Sequence, residues 1–263
     1  MSWRRVRGIL LQNWYVMQRS PIRFMELLYW PVLELVLWGF ITRYLAARDA
    51  NLPGGVSVLL GAVLLWDVMF RSHQELAMTH LIDMWDKNIV NLYASPLRQS
   101  EYYLGSLLFS IGRLAVGTTV LILVARFAFG FDLLRAGATL APSLAILVVM
   151  GWALGIVIRA AIVRFGSNAE VLAWSLALLL QPVSAVFYPV AILPVWLQKI
   201  AFLVPASHVF ESLRAFLAGQ EVLARRLVFA AGLDIVYMFG AAAISAHAYR
   251  RVRELGLLSR PGY

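Results

Sequence analysis

Long apolar runs separated by short polar breaks organise this 263-residue chain. A helix that crosses a bilayer needs about 20 mostly apolar residues. Six stretches meet that requirement: 24–46, 57–79, 103–129, 139–160, 168–190 and 227–248. The second and third are the least clean, because Asp67, Arg71, Glu75 and Arg113 interrupt them. Residues 1–20 follow another rule. Trp3, Val6, Leu10, Trp14 and Met17 recur at helical spacing with Arg and Gln opposite, which predicts an amphipathic helix in the membrane interface. The competing reading is an ordinary solvated surface helix. Gln12, Asn13 and Gln18 break its apolar centre and no small-residue cleavage site follows, so a secretory signal is not expected. A seventh apolar stretch, AILPVWLQKIAFLVPA (191–206), is short and set among Pro189, Pro194 and Pro205. It predicts a re-entrant or surface-lying element within 191–218, tolerable only where protein or water satisfies its backbone. The expected fold is all-α and polytopic, a single transmembrane domain over 1–263 without repeats or linkers.

Composition supports that pattern. The chain is 61% hydrophobic and 14% charged, whereas a soluble domain is about half apolar and about one quarter charged. Its solvent must include lipid. The net charge of +9 raises nucleic acid as a partner, but the 21 Arg and 2 Lys are scattered singly between apolar runs and form no basic stripe. No cysteine is present, so disulfides and thiolate chemistry are excluded. With six spans, 14 Arg and Lys fall on the side of the two termini and 8 on the other. That bias places both termini in the cytoplasm of a bacterial inner or plasma membrane.

One polar island stands out, DMWDKNIVNLYASPLRQSEYYLG (83–105). Asp83 and Asp86 suit the N-terminus of a short helix, where carboxylates face exposed amides. Trp85, Ile89 and Leu92 recur at spacings of four and three beside Lys87, Asn88 and Asn91. Ser95-Pro96 stops that helix, and a new one runs on into the third span. A short amphipathic helix over 84–94 fits a partner's groove; a plain connecting loop is the alternative. The phosphate cradle G-x-x-x-x-G-K-[ST] is missing, since Lys87 and Lys199 follow Asp86 and Gln198. If ATP drives this protein, another chain must bind it.

The island resembles the pattern that permease subunits of type-2 ABC exporters carry between their second and third spans. A second stretch, QPVSAVFYPVAILPVWLQKIAFLVPASHVFESLRAFLAG (181–219), is similar to that family's extracellular signature before its last span. The resemblance implies that Trp85, Asn88, Asn91, Leu92, Pro96, Leu97, Arg98 and Glu101 belong to a coupling element seated in the ATPase. It likewise implies an external re-entrant gate containing Phe187, Tyr188, Pro189, Leu193, Pro194, Trp196, Pro205, His208, Glu211 and Arg214. It further implies two permease subunits, a homodimer in the simplest case, and two ATPase subunits that bind ATP and Mg; no cofactor is expected in this chain. The cargo class is amphipathic: a drug, a lipid or a lipid-linked glycan.

Charges inside spans are costly and normally face a cavity or each other. Asp67 and Arg71 are four apart and can pair along one helix. Glu26 and Glu34 share a face of the first span, and Arg113 in the third span needs one of these carboxylates. Such groups either line a cargo path or fix helix packing. His208, Glu211 and Arg214, three apart, share a helical face. A membrane-embedded hydrolase using His208 and Glu211, with Asp234, is the rival function. The H-x-x-E spacing lacks a third ligand, however, and a salt-bridge row explains it more simply. His73 and His80, seven apart, carry only a weak metal reading. A passive channel lacks the run of small and polar residues it would need. Most tryptophans fall near span ends, as interfacial belts do. Trp152 and Trp174 lie deeper and are candidates for a lateral path.

Overall fold

The computed structural model describes residues 1–48, 55–85 and 95–254, all helix and connection with no strand among them. In chain order the helices are α1 (Trp3–Gln18), α2 (Pro21–Arg48), α3 (Gly55–Trp85), α4 (Gln99–Phe129) and α5 (Leu140–Phe165). They continue with α6 (Glu170–Val183), α7 (Val195–Phe202), α8 (Pro205–Leu217) and α9 (Ala224–Glu254). Three of these, α4, α5 and α9, are long and apolar enough to cross a membrane. The pair α7–α8, bent by 98° at Leu203-Val204, makes a fourth if it counts as one span. α2 and α3 equal them in length, at 28 and 31 residues.

The sequence pattern and the helices differ in three places. The fifth predicted span, 168–190, holds a helix of only 14 residues, about 21 Å at the α-helical rise and short of a ~30 Å hydrocarbon core. Pro182 lies in its last turn and Ala185 takes a left-handed φ of 52°, so the chain turns away. α3 runs on through Trp85, because Ala77, Leu81 and Met84 continue the apolar repeat against Ile158, Ile162 and Ala173. Asp83 therefore sits in the last turn of α3 rather than at the start of a separate helix. The remaining predicted coupling residues Asn88, Asn91 and Leu92 lie outside the described residues, as does the side chain of Glu26.

The long helices sort by burial. In α5, 67% of the apolar window is buried, against 22% in both α4 and α9. So α5 is the interior helix, while α4 and α9 leave most of their apolar windows uncovered. The buried seam of α4 is Tyr102, Gly105, Ser106, Ser110, Leu114, Gly117, Leu121 and Ala125, one residue per turn. Ile111, Val116, Leu123 and Phe127 point outward.

The tightest crossing joins α3 and α5. A Cβ on Gly151 would lie 2.5 Å from Ser72 Cβ and 2.7 Å from the Met69 carbonyl oxygen. One on Gly155 would lie 2.7 Å from the His73 carbonyl oxygen and 2.9 Å from Leu76 Cβ. Residues 151 and 155 form a Gly-x-x-x-Gly face, the small-residue spacing that lets helix backbones meet in lipid, where van der Waals packing is the main attraction.

Gly155→Ala should therefore destabilise the purified protein by about 1–3 kcal/mol, as overpacking does. The same exchange at Gly112, whose Cβ would meet nothing within 4 Å, should be neutral or stabilising, since Ala is favoured over Gly in a helix. Thermal unfolding in detergent micelles compares the two; equal midpoints would remove the backbone contact as the cause.

Candidate functional site

Two polar clusters cap the bundle. The first lies at the end that carries the N-terminus, around the segment the sequence singles out. Pro96 and the extended Arg98 separate the two helices there, and α4 starts at Gln99. Glu101 folds back so that its Oε2 accepts the Arg98 backbone N–H at 3.0 Å, which satisfies one orphan donor of the first turn. Oε1 accepts the backbone N–H of Ser2 at 2.7 Å, and the Arg5 guanidinium donates to Oε2 at 3.3 Å. Glu101 is thus fully buried beneath the start of α1. Alongside it, Gly105 leaves room for Ile9, since a Cβ there would lie 2.7 Å from Ile9 Cβ.

The same cluster ties α3 to its neighbours. Asp83 accepts hydrogen bonds from the Gln12 amide at 3.0 Å and from the Tyr102 hydroxyl at 2.5 Å. The Arg159 guanidinium of α5 stacks over both Tyr102 and Tyr103, 4.2 and 4.3 Å from the ring centroids. Tyr103 and Gln99 reach Ser245 of α9 at 2.8 and 3.2 Å. Five helices, α1, α3, α4, α5 and α9, meet through these side chains. Trp85 follows directly and is 51% exposed, while Pro96 and Arg98 are exposed.

α1 docks through Val6 and Ile9, which are buried, and leaves Trp3, Leu11, Trp14 and Tyr15 uncovered. Of the predicted stripe, only Val6 is buried. Two arginines counted with the terminal side, Arg71 and Arg159, are buried inside helices and cannot serve as loop charges.

The second cluster lies at the opposite end. Pro194 and Pro205 stand at the starts of α7 and α8, where a missing N–H leaves no hydrogen bond unmade. Glu211 Oε1 accepts the Val190 backbone N–H at 2.8 Å and the Arg214 guanidinium at 3.0 Å. Arg214 also donates to the Val186 carbonyl at 3.3 Å, so the pair fastens residues 186–190 onto α8. His208 turns elsewhere: its Nε2 meets the Phe202 carbonyl at 2.8 Å, and its ring packs edge-on against Phe202 and Phe229. Phe187 stacks on Trp38 of α2 with centroids 4.5 Å apart, and Tyr188 donates to the Pro182 carbonyl. Pro189, Pro194 and Trp196 are exposed.

The predicted row is thus a Glu211–Arg214 pair with His208 bonded to backbone, each committed to a structural partner. Among the described residues no three His, Asp or Glu side chains converge as a metal-holding group. His73 reaches the Ala173 carbonyl of α6 at 3.2 Å. Trp174 is 45% exposed, whereas Trp152 is partly buried against the cluster of Leu76, Ala153, Ile156 and Ala241.

Between the two ends run the charged pairs. The Arg71 Nε donates to both Asp67 oxygens at 2.9 and 2.7 Å, the pairing that their four-residue spacing predicts. Glu34 of α2 lies within Coulombic reach of both. Arg113 pairs with Glu75 of α3 at 2.7 Å. Both belong to helices that face each other, and Glu75 follows Arg71 by one more turn on α3. Charge in the third span placed a carboxylate opposite it; only the register of α3 against α4 identifies which.

A family model described as ABC-2 type transporter matches residues 11–217, most of the chain. No curated protein matches it.

Arg113→Met alone should cost about 1–3 kcal/mol of stability, because the partly buried Glu75 loses its partner; adding Glu75→Leu should restore most of it. A double-mutant cycle on unfolding midpoints reads the coupling, and additive losses would count against the pair. At the terminal end, Glu101→Ala should speed amide exchange in α1 on the order of tenfold, by loss of its charge-assisted bonds. Arg5→Ala should do so less, its side chain being 41% exposed. Exchange in α1 unchanged by Glu101→Ala would mean that Val6 and Ile9 alone hold the helix.

Proposed function

The chain belongs to the ABC-2 type transporter family, and from that premise we propose that it is the membrane subunit of an exporter driven by ATP. It is a membrane protein of an ABC transporter, and members of this family generally work with a separate ATPase subunit. The proposed cargo is amphipathic, a lipid, drug or lipid-linked glycan, moved outward from the cytoplasm or inner leaflet. The ATPase partner, in two copies, binds ATP and Mg; the missing phosphate loop in this sequence supports that division of labour.

In this reading α2 and α3 join α4, α5, α9 and the α6–α8 region to make six crossings, with both termini cytoplasmic. Two copies of the chain pack together in the membrane. α2 offers an uncovered apolar stripe for this, Met25, Tyr29, Leu33, Leu37 and Phe40, recurring every three or four residues. Pro189, Pro194, Trp196 and the Glu211–Arg214 clasp then lie on the outer side as the external gate. Among the charges, the Asp67–Arg71 and Glu75–Arg113 pairs set the packing of α3 and α4, and Glu34 is the one that borders the path.

The observation that carries the proposal is the cluster at Asp83, Glu101, Tyr102, Tyr103 and Arg159. It joins the two helix ends that flank residues 86–94 to three further helices. A partner that displaces the 84–94 segment therefore moves the bundle, and it biases the transporter only through contacts that differ between two states.

Trp85→Glu tests the coupling. Its side chain is exposed, so insertion and the amount of protein in the membrane should stay normal. ATP-dependent export should fall by roughly tenfold or more, within the range of typical coupling energies. Full export with normal assembly would sink the coupling role. Failure of the chain to copurify with any ATPase subunit would sink the wider reading.

A further inference from the structure

A groove between α5 and α9, at the end that carries the N-terminus, has no part in the reading above. It is open along one side and offers about 450 Å³. Ala160 and Ala248 lie deepest, with Ala161 and Ala243 beside them, so the groove exists because four methyl groups stand where longer side chains would fill it. Val157 and Ile244 continue its apolar wall. Both helices are long and apolar enough to cross a membrane, so a slot of this kind faces hydrocarbon.

One end of the groove is basic. Arg164, exposed in the last turn of α5, and His247 on α9 line it. Arg250, Arg251 and Arg253 follow on α9, and the acid that ends the helix, Glu254, stands 3.6 Å from Arg251. From Ala243 to Arg253 the helix carries no carboxylate. Apolar walls that open on clustered cations match one ligand chemistry, an acyl chain attached to an anionic head group.

We propose that this groove binds an anionic phospholipid of the leaflet on that side. Its phosphate sits against Arg164 and His247, and an acyl chain lies along the alanines between Val157 and Ile244. Arg164 supplies a planar fork that suits phosphate oxygens, and an imidazole N–H adds a further donor. The site rests on α5 and α9 crossing the membrane, and it needs no ATPase and no cargo. It binds a resident lipid on the side of the bundle away from α2.

The test uses the purified full chain in detergent with phosphatidylglycerol or phosphatidylcholine of the same acyl chains, and bound lipid is read by native mass spectrometry. The wild type should hold phosphatidylglycerol over phosphatidylcholine by about fivefold per engaged cation. Arg164→Gln with His247→Gln should abolish that preference and leave the weaker chain-driven binding. Ala243→Leu, a substitution at an exposed position, should reduce both lipids by filling the slot. Arg164→Lys should restore most of the preference. Equal binding of the two lipids by the wild type, or a preference that survives the double charge removal, overturns the proposal. Reconstitution into vesicles separates the two readings. A chain that inserts but shows no lipid preference fails only here, and one that does not insert fails both.

Discussion

The bundle depends on the backbone contact between α3 and α5. Lipid tails are as apolar as leucine, so helices in a bilayer do not associate to escape water; they must pack better with each other than with acyl chains. Gly151 and Gly155 make that possible by admitting the backbone of residues 69–73 where any side chain would stand. The rest follows from that approach. Ser72 and His73 become fully buried, and His73 reaches across to the Ala173 carbonyl of α6. With α3 fixed on one side, α5 takes α9 on the other and receives α8 near its start, and it becomes the interior helix.

Charge in this interior is held by a related economy. The repeat Asp67, Arg71, Glu75 runs along one face of α3 at intervals of one turn, and Arg113 on α4 completes two neutral pairs. An unpaired member would carry a desolvation cost that lipid cannot relieve. Gly117 of α4 stands opposite, where a Cβ would lie in ordinary van der Waals contact with Leu27 Cδ1 at 3.9 Å and Arg71 Nη1 at 4.0 Å. The Glu75–Arg113 pair thereby fixes the rotation of α3 against α4, a specificity that apolar packing alone supplies weakly.

Apolar periodicity made most of the helices legible, together with the break at Pro96 and the Asp67–Arg71 pair, because these depend on neighbours in sequence. What escaped depends on register between helices. Glu75 as the partner of Arg113 and Asp83 as an acceptor for Gln12 and Tyr102 need the helices in place first. The face by which α1 docks on the bundle differs from its most apolar stripe for a physical reason. Its tryptophans are the residues a membrane interface attracts, and the smaller Val6 and Ile9 fit against Gly105. The Gly-x-x-x-Gly at 151–155 was a readable signal, hidden among residues equally apolar on every side. The clasp at Glu211 was half legible: spacing gives Arg214, but Val190 reaches it only through the turn after Pro182, where Ala185 adopts its left-handed backbone.

α3, like α9, reaches both polar clusters. Near its end Asp83 holds α1 and α4; about 26 Å earlier, at the α-helical rise, Trp66 packs against Phe210 of α8 with ring centroids 6.4 Å apart. One turn further on, Leu213 fills the space beside Gly61. α8 carries the Glu211–Arg214 clasp and, through it, residues 186–190. Close-packed interfaces move between discrete arrangements rather than deform smoothly. A displacement delivered near Trp85 therefore reaches the clasp in one of two ways: α3 shifts as a rod with α8, or the Trp66–Phe210 contact slips. The glycine contacts with α5 oppose sliding along the helix axis, because a one-residue slip would bring a side chain onto backbone. Tilting about that crossing is the motion they leave open. In the proposed exporter, the α3–α5 crossing is then the fulcrum between the ATPase side and the external gate.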